Sequence, residues 1–82
     1  MVNILSIKEL GENLTSARKK QFPQDTAAAF AARCEIGLST YKKMEKGELS
    51  VGLHNYYKAG QVLGLESRFH ELFKLEEDWF NE

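Results

Sequence analysis

The chain has 82 residues, 43 % of them hydrophobic, with 11 basic and 12 acidic side chains. That is enough chain for one domain and too apolar for a disordered one, and at this length stability calls for good packing or oligomerisation. One cysteine (Cys34) excludes an intrachain disulfide, His54 and His70 stand too far apart for zinc-ligand spacing, and no apolar stretch approaches the roughly 18 residues of a membrane span.

Met1–Leu5 lacks the basic start of a secretion signal, so a reducing cytoplasm is the expected location. The net charge is −1, but it is unevenly spread. Between positions 15 and 47, Arg18, Lys19, Lys20, Arg33, Lys42, Lys43 and Lys46 stand against Asp25, Glu35 and Glu45. Positions 48–82 reverse the balance, with three basic and seven acidic residues. A protein can hold phosphate on one face while its total charge is near zero. Ordinary solvated surface is the plain alternative.

Val2–Leu5 is a short apolar run suited to an arm or edge strand. Ser6-Ile7-Lys8-Glu9 has the form of a capping box. Ile7, Leu10, Leu14 and Ala17 then recur at helical steps, predicting an amphipathic helix that ends near Lys20, with cations in its last turn. Gln21-Phe22-Pro23-Gln24 breaks it. Asp25 or Thr26 can cap a second helix that runs through Cys34 and buries Phe30, Ala31 and Cys34.

After Glu35-Ile36-Gly37 a third helix is expected from Leu38 to about Lys46. Tyr41 and Met44 face its core side, and Ser39, Lys42, Lys43 and Lys46 face away. Gly47 stops it. Glu45 is expected to pair with a basic group or to cap nearby N–H groups. Glu48–Gly52 reads as a loop. A fourth helix, about Leu53 to Leu63, has Leu53, Tyr56, Tyr57, Gly60 and Leu63 as inward candidates, and Gly64 ends it. A short fifth helix, Glu66–Phe73, presents Phe69, Leu72 and Phe73. The tail 74–82 is acidic and carries Trp79-Phe80. The expected organisation is one domain over 1–73 with that tail appended.

Two short helices joined by about three residues, the second with basic and hydroxyl side chains outward, make a helix-turn-helix pattern. One helix of such a pair crosses the phosphate backbone while the other offers its first residues to base edges in the major groove. The run from Phe30 to Gly47, FAARCEIGLSTYKKMEKG, resembles the Cro/repressor-type (XRE) helix-turn-helix family in Ala31, Ile36, Thr40, Met44, Glu45 and Gly47. Leu10–Lys19, Ser50-Val51 and Val62-Leu63-Gly64-Leu65 resemble the same family's flanking helices.

The resemblance implies an all-α, five-helix, lambda-repressor-like DNA-binding domain, with its helix-turn-helix at about 26–46. It implies base contacts from Leu38, Ser39, Lys42 and Lys43, and a base or phosphate contact from Thr40. Phosphate contacts would come from Lys19, Lys20, Gln24, Thr26 and Lys46. Three positions depart from the family. Glu35 stands where glycine is usual, so a left-handed backbone there would cost about 1 kcal/mol or more and another turn geometry is open. Gly37 replaces the usual hydroxyl cap, and Ala27 replaces a glutamine that grips phosphate in many members.

A homodimer reading a palindromic operator follows from the small footprint of one such domain. Tyr56, Tyr57, Phe69, Phe73, Trp79 and Phe80 are the candidates for a dimer or partner surface, with core packing the equal alternative for the two tyrosines. The stretches Glu45–Val51 and Val62–Arg68 look similar to HipB-like antitoxins, which implies autoregulation and a HipA-type kinase as partner. Trp79-Phe80 could instead dock on its own domain. A protein-interaction module that kept the fold without DNA binding is the alternative from another class. No acid/base pair, nucleophile constellation or phosphate loop points to an enzyme, and no metal or cofactor is implied. Cys34 is expected to be a small buried hydrophobe.

Overall fold

The structure is a computed structural model that describes residues 5–75. Four α-helices follow in order: α1 (Lys8–Gln21), α2 (Ala27–Arg33), α3 (Leu38–Met44) and α4 (Leu53–Leu63). Two 3-10 turns, Leu49–Val51 and Glu66–Glu71, lie before and after α4. Among the described residues the fold is all-helical apart from one isolated antiparallel bridge, Ser6 with Glu48.

The bridge corrects the expected start of α1. Ile7, not Ser6, occupies the cap position, and no side chain caps the helix. Ile7 N–H donates to the Gly47 carbonyl at 2.9 Å, and Leu49 N–H donates to the Leu5 carbonyl at 2.9 Å. Ser6 is therefore held in strand-like pairing with Glu48, 42 residues further along the chain, and the Ser6–Glu9 box does not form. Ile7 itself is exposed rather than part of the buried stripe.

Helix α2 begins as its sequence requires, with the Thr26 hydroxyl accepting from Ala29 N–H at 3.1 Å. Its apolar side carries Phe30, Ala31 and Cys34 into the core, where Tyr41 and Met44 from α3 meet them with no exposed surface. Leu14 of α1 and Tyr56, Ala59 and Leu63 of α4 close that core. Phe30 packs between two rings, 5.5 Å from Phe22 and 5.6 Å from Tyr41 between centroids. Leu53, an inward candidate, is exposed. The segment after α4 forms a 3-10 turn ending at Glu71 rather than an α-helix reaching Phe73.

Helices α2, α3 and α4 all end in one geometry. A residue in the left-handed region donates to the carbonyl three residues back, and the next residue donates to the carbonyl five back. In α2 these bonds are Glu35 N–H to Ala32 (3.0 Å) and Ile36 N–H to Ala31 (2.9 Å). In α3 they are Gly47 to Met44 and Glu48 to Lys43; in α4, Gly64 to Gln61 and Leu65 to Gly60. The left-handed residue is glycine twice, but at the end of α2 it is Glu35, with φ 59°. The turn thus keeps the left-handed geometry despite the side chain. The strain persists because burial of Ile36 just beyond it fixes the chain direction.

Glu35→Gly relieves that strain without touching a side-chain contact and is expected to stabilise the fold by about 1 kcal/mol, raising Tm by about 4–8 °C. Thermal unfolding followed by circular dichroism checks it. Gly47→Ala is the contrasting case. A Cβ there would run into the Ile7 carbonyl, and the same measurement should show a large loss of stability.

Candidate nucleic-acid interface

Helix α3 presents two chemically distinct sides. Successive residues turn by about 100°, so Leu38, Ser39, Lys42 and Lys43 fall within an arc of about 140°. Ser39, Lys42 and Lys43 are exposed, and Leu38 is 39 % exposed. Tyr41 and Met44 occupy the opposite, fully buried arc. Thr40, at the border, is half-buried. Gly37 caps the helix with ordinary φ −60° and open space around its Cα.

A buried ion pair holds this helix in place. Arg18, only 8 % exposed, donates from Nε to Glu45 Oε2 at 2.8 Å and from Nη1 to the Asp25 carbonyl at 3.1 Å. The Tyr41 hydroxyl donates to the same Glu45 oxygen at 2.6 Å. The Glu45 hydrogen bond holds the Arg18 guanidinium above its usual value. Burial, then that carboxylate, pushes the Tyr41 hydroxyl well up. Helix α1 also approaches closely at Gly11, where a Cβ would lie 2.6 Å from Gly47 N.

Lys19 and Lys20 follow Arg18, Gln24 and Thr26 flank Asp25, and Lys46 follows Glu45. All five are exposed. These five positions lie within two residues, along the chain, of members of the ion-pair network, while Leu38, Ser39, Lys42 and Lys43 line the outer arc of α3. Lys19, Lys20, Lys42, Lys43 and Lys46 form no ion pair among the described residues.

Arg33 is different. It makes a two-pronged pair with Asp25 (Nε to Oδ2 2.9 Å, Nη2 to Oδ1 3.0 Å), and its guanidinium lies 4.4 Å from the Phe22 ring centroid. The Arg33 hydrogen bond holds the Asp25 carboxyl below its usual range. Arg33 thus braces the start of α2, whose outer side otherwise shows Ala28, Ala29 and Ala32. Lys58 of α4 donates to the Glu35 carbonyl at 3.0 Å, securing the strained turn between α2 and α3.

Sequence reading did not single out Arg18 as an organiser. The available signal was its position four residues after Leu14, on the buried side of α1, opposite an acid already expected to pair. Of the two readings open for Tyr56, core or dimer surface, the fold favours the core: it is buried, and its hydroxyl donates to the Glu48 carbonyl at 2.6 Å. It is a core residue. Tyr57 packs edge-on against Phe69 at 5.4 Å and lies 3.2 Å through its hydroxyl from His70 Nε2. Phe69 is half-buried, while Phe73 is fully exposed with φ 67°. Trp79 and Phe80 lie outside the described residues.

Compared with family models, with curated proteins and with solved structures, the chain matches none.

Cys34 carries a buried thiol, pushed up to about 11 from an ordinary 9.0 chiefly by desolvation. It is a protonated packing element at neutral pH. Among the described residues no group of acidic, histidine and cysteine side chains could hold a metal.

Two predictions follow from these interactions. Removing one partner of this partly enclosed pair, as in Arg18→Met, leaves Glu45 with Tyr41 alone and should cost about 1–3 kcal/mol in urea unfolding. Combining it with Glu45→Gln, which still accepts from Tyr41, should cost less than the sum of the two single changes. The second concerns pH. The unfolded Cys34 thiol releases its proton from about pH 9, while the folded thiol holds it to about 11, so the native state binds more protons in that window and stability falls as pH rises through it. Urea midpoints measured across that window should fall, and fall less steeply in Cys34→Ala.

Proposed function

We propose that this protein is a sequence-specific DNA-binding regulator in which α2 and α3 act as a helix-turn-helix, with α3 entering the major groove. The observation that carries this reading is the outer arc of α3. It offers Ser39, Lys42 and Lys43 to solvent, on a helix whose C-terminal end is tied to α1 by the Arg18–Glu45 pair. Lysine donates to guanine O6 and N7, and serine to either groove-edge partner, so these side chains suit base readout. Lys19, Lys20, Gln24, Thr26 and Lys46 suit phosphate contacts that fix register. The resemblance of Phe30–Gly47 to Cro/repressor-type regulators supports the same assignment.

In this reading two copies bind a palindrome, since one short recognition helix covers only a half-site. The narrower form, an autoregulating antitoxin holding a HipA-type kinase, rests on the likeness of 45–51 and 62–68 to HipB-like proteins. Copurification of a kinase from the native host is its test. One observation favours a second reading, a protein-interaction module without DNA specificity: the alanine surface of α2 offers phosphate no side-chain donors beyond Thr26 and Arg33, and Arg33 is engaged by Asp25.

In-vitro selection from a random duplex library separates the two. DNA readout predicts enrichment of a two-fold symmetric site, with affinity falling steeply as salt rises because bound counterions are released. Lys42→Ala and Lys43→Ala should each weaken binding to the selected site by about 1–3 kcal/mol, about five- to 150-fold, with an unchanged helical spectrum. Failure to enrich any site, or unaltered binding by the folded double variant, would overturn the DNA reading.

A further inference from the structure

An open groove of about 300 Å³ runs between α1, α4 and the second 3-10 turn. Leu10, Leu14, Ala17, Leu63, Phe69 and Leu72 give it an apolar lining, and Arg68 is the one charged side chain on it among the described residues. Its wall is set by close contact: the Phe69 ring lies over Gly60, where a Cβ would come 2.7 Å from Phe69 Cε1. The apolar surface continues along the chain beyond the groove, through exposed Leu72, Phe73 and Leu75.

The residues that come next are Glu76-Glu77-Asp78-Trp79-Phe80-Asn81-Glu82. We propose that Trp79 of the same chain seats in this groove, with the acids of 76–78 passing Arg68. Three properties point to this occupant. First, Leu72 already lines the groove, and the seven residues from it to Trp79 span at most about 25 Å, so the indole can reach any part of the lining. Second, volume fits: a cavity of about 150 Å³ takes a benzene, and a space of this size takes an indole. Third, charge fits, since three acids precede the tryptophan and the single charge on the groove is positive.

The groove is also small for a partner in trans. An aromatic side chain buries about 150–250 Å², whereas a stable interface needs about 800 Å² per side. A tethered side chain needs no such area, because a short tether gives it a local concentration of order millimolar.

Trp79 is the only tryptophan, so its fluorescence reports this contact directly. In the folded full-length chain its emission should be blue-shifted and protected from acrylamide relative to the urea-unfolded chain, and should not change on dilution. Nuclear Overhauser contacts should join the Trp79 ring to methyls of Leu14 and Leu63. Arg68→Glu, at an exposed position, should move the emission toward the unfolded value while the helical spectrum stays the same. Solvent-like emission from the folded chain would overturn the proposal. So would a blue shift that disappears on dilution, which would put the ring on a second copy, or ring contacts to any other surface.

Discussion

The arrangement of α1, α2 and α3 depends on one partly enclosed charge pair, Arg18 with Glu45. Taking two ions out of water costs several kcal/mol each unless every polar atom is answered. Here Arg18 reaches both a carboxylate and the Asp25 carbonyl, and Glu45 receives both Arg18 and Tyr41. One side chain of α1 therefore fixes the start of α2 and the end of α3 together. Apolar contacts alone would allow these elements to slide, because they have no preferred direction. The pair converts packing into a defined crossing.

That constraint matters because α2 and α3 are seven residues each. Isolated helices of this length do not persist in water, so their order comes from tertiary contacts. Backbone pairing of residues 5–7 with 47–49 ties the start of α1 to the end of α3. The contact of Gly11 with the same stretch brings two backbones together where any side chain would intrude. The repeated left-handed ending of α2, α3 and α4 sends the chain back onto the core each time. Lys58 adds a cation at the carbonyl end of α2, where it opposes the helix dipole.

Features set by local sequence were legible before the structure. A cap at Asp25 or Thr26, stops at Gly47 and Gly64, and Phe30, Tyr41 and Met44 as core all follow from spacing and side-chain type. So did the outer arc of α3, because charged and apolar residues alternate at helical period. Features set by partners distant in sequence were not legible. Ser6 has the chemistry of a cap, but its neighbours Leu5 and Ile7 are bonded to Leu49 and Gly47, which holds it opposite Glu48. Tyr56 could be placed inward by its spacing, but the Glu48 carbonyl that satisfies its hydroxyl could not be read from the sequence. Arg33 counted as one more cation until Asp25 took it. Position 35 shows the same limit from another side: glutamate argues against a left-handed turn locally, and the burial of Ile36 outweighs it.

The separation of α3 into an outer arc and an inner arc carries an evolutionary consequence. Ser39, Lys42 and Lys43 are exposed and Leu38 is partly so, whereas Tyr41 and Met44 are buried in the core and Glu45 pairs with Arg18. Drift and selection can therefore rewrite the outward letters of this helix while the inward letters stay frozen. A lineage of such chains could change the outer surface of this helix without ever passing through an unfolded ancestor.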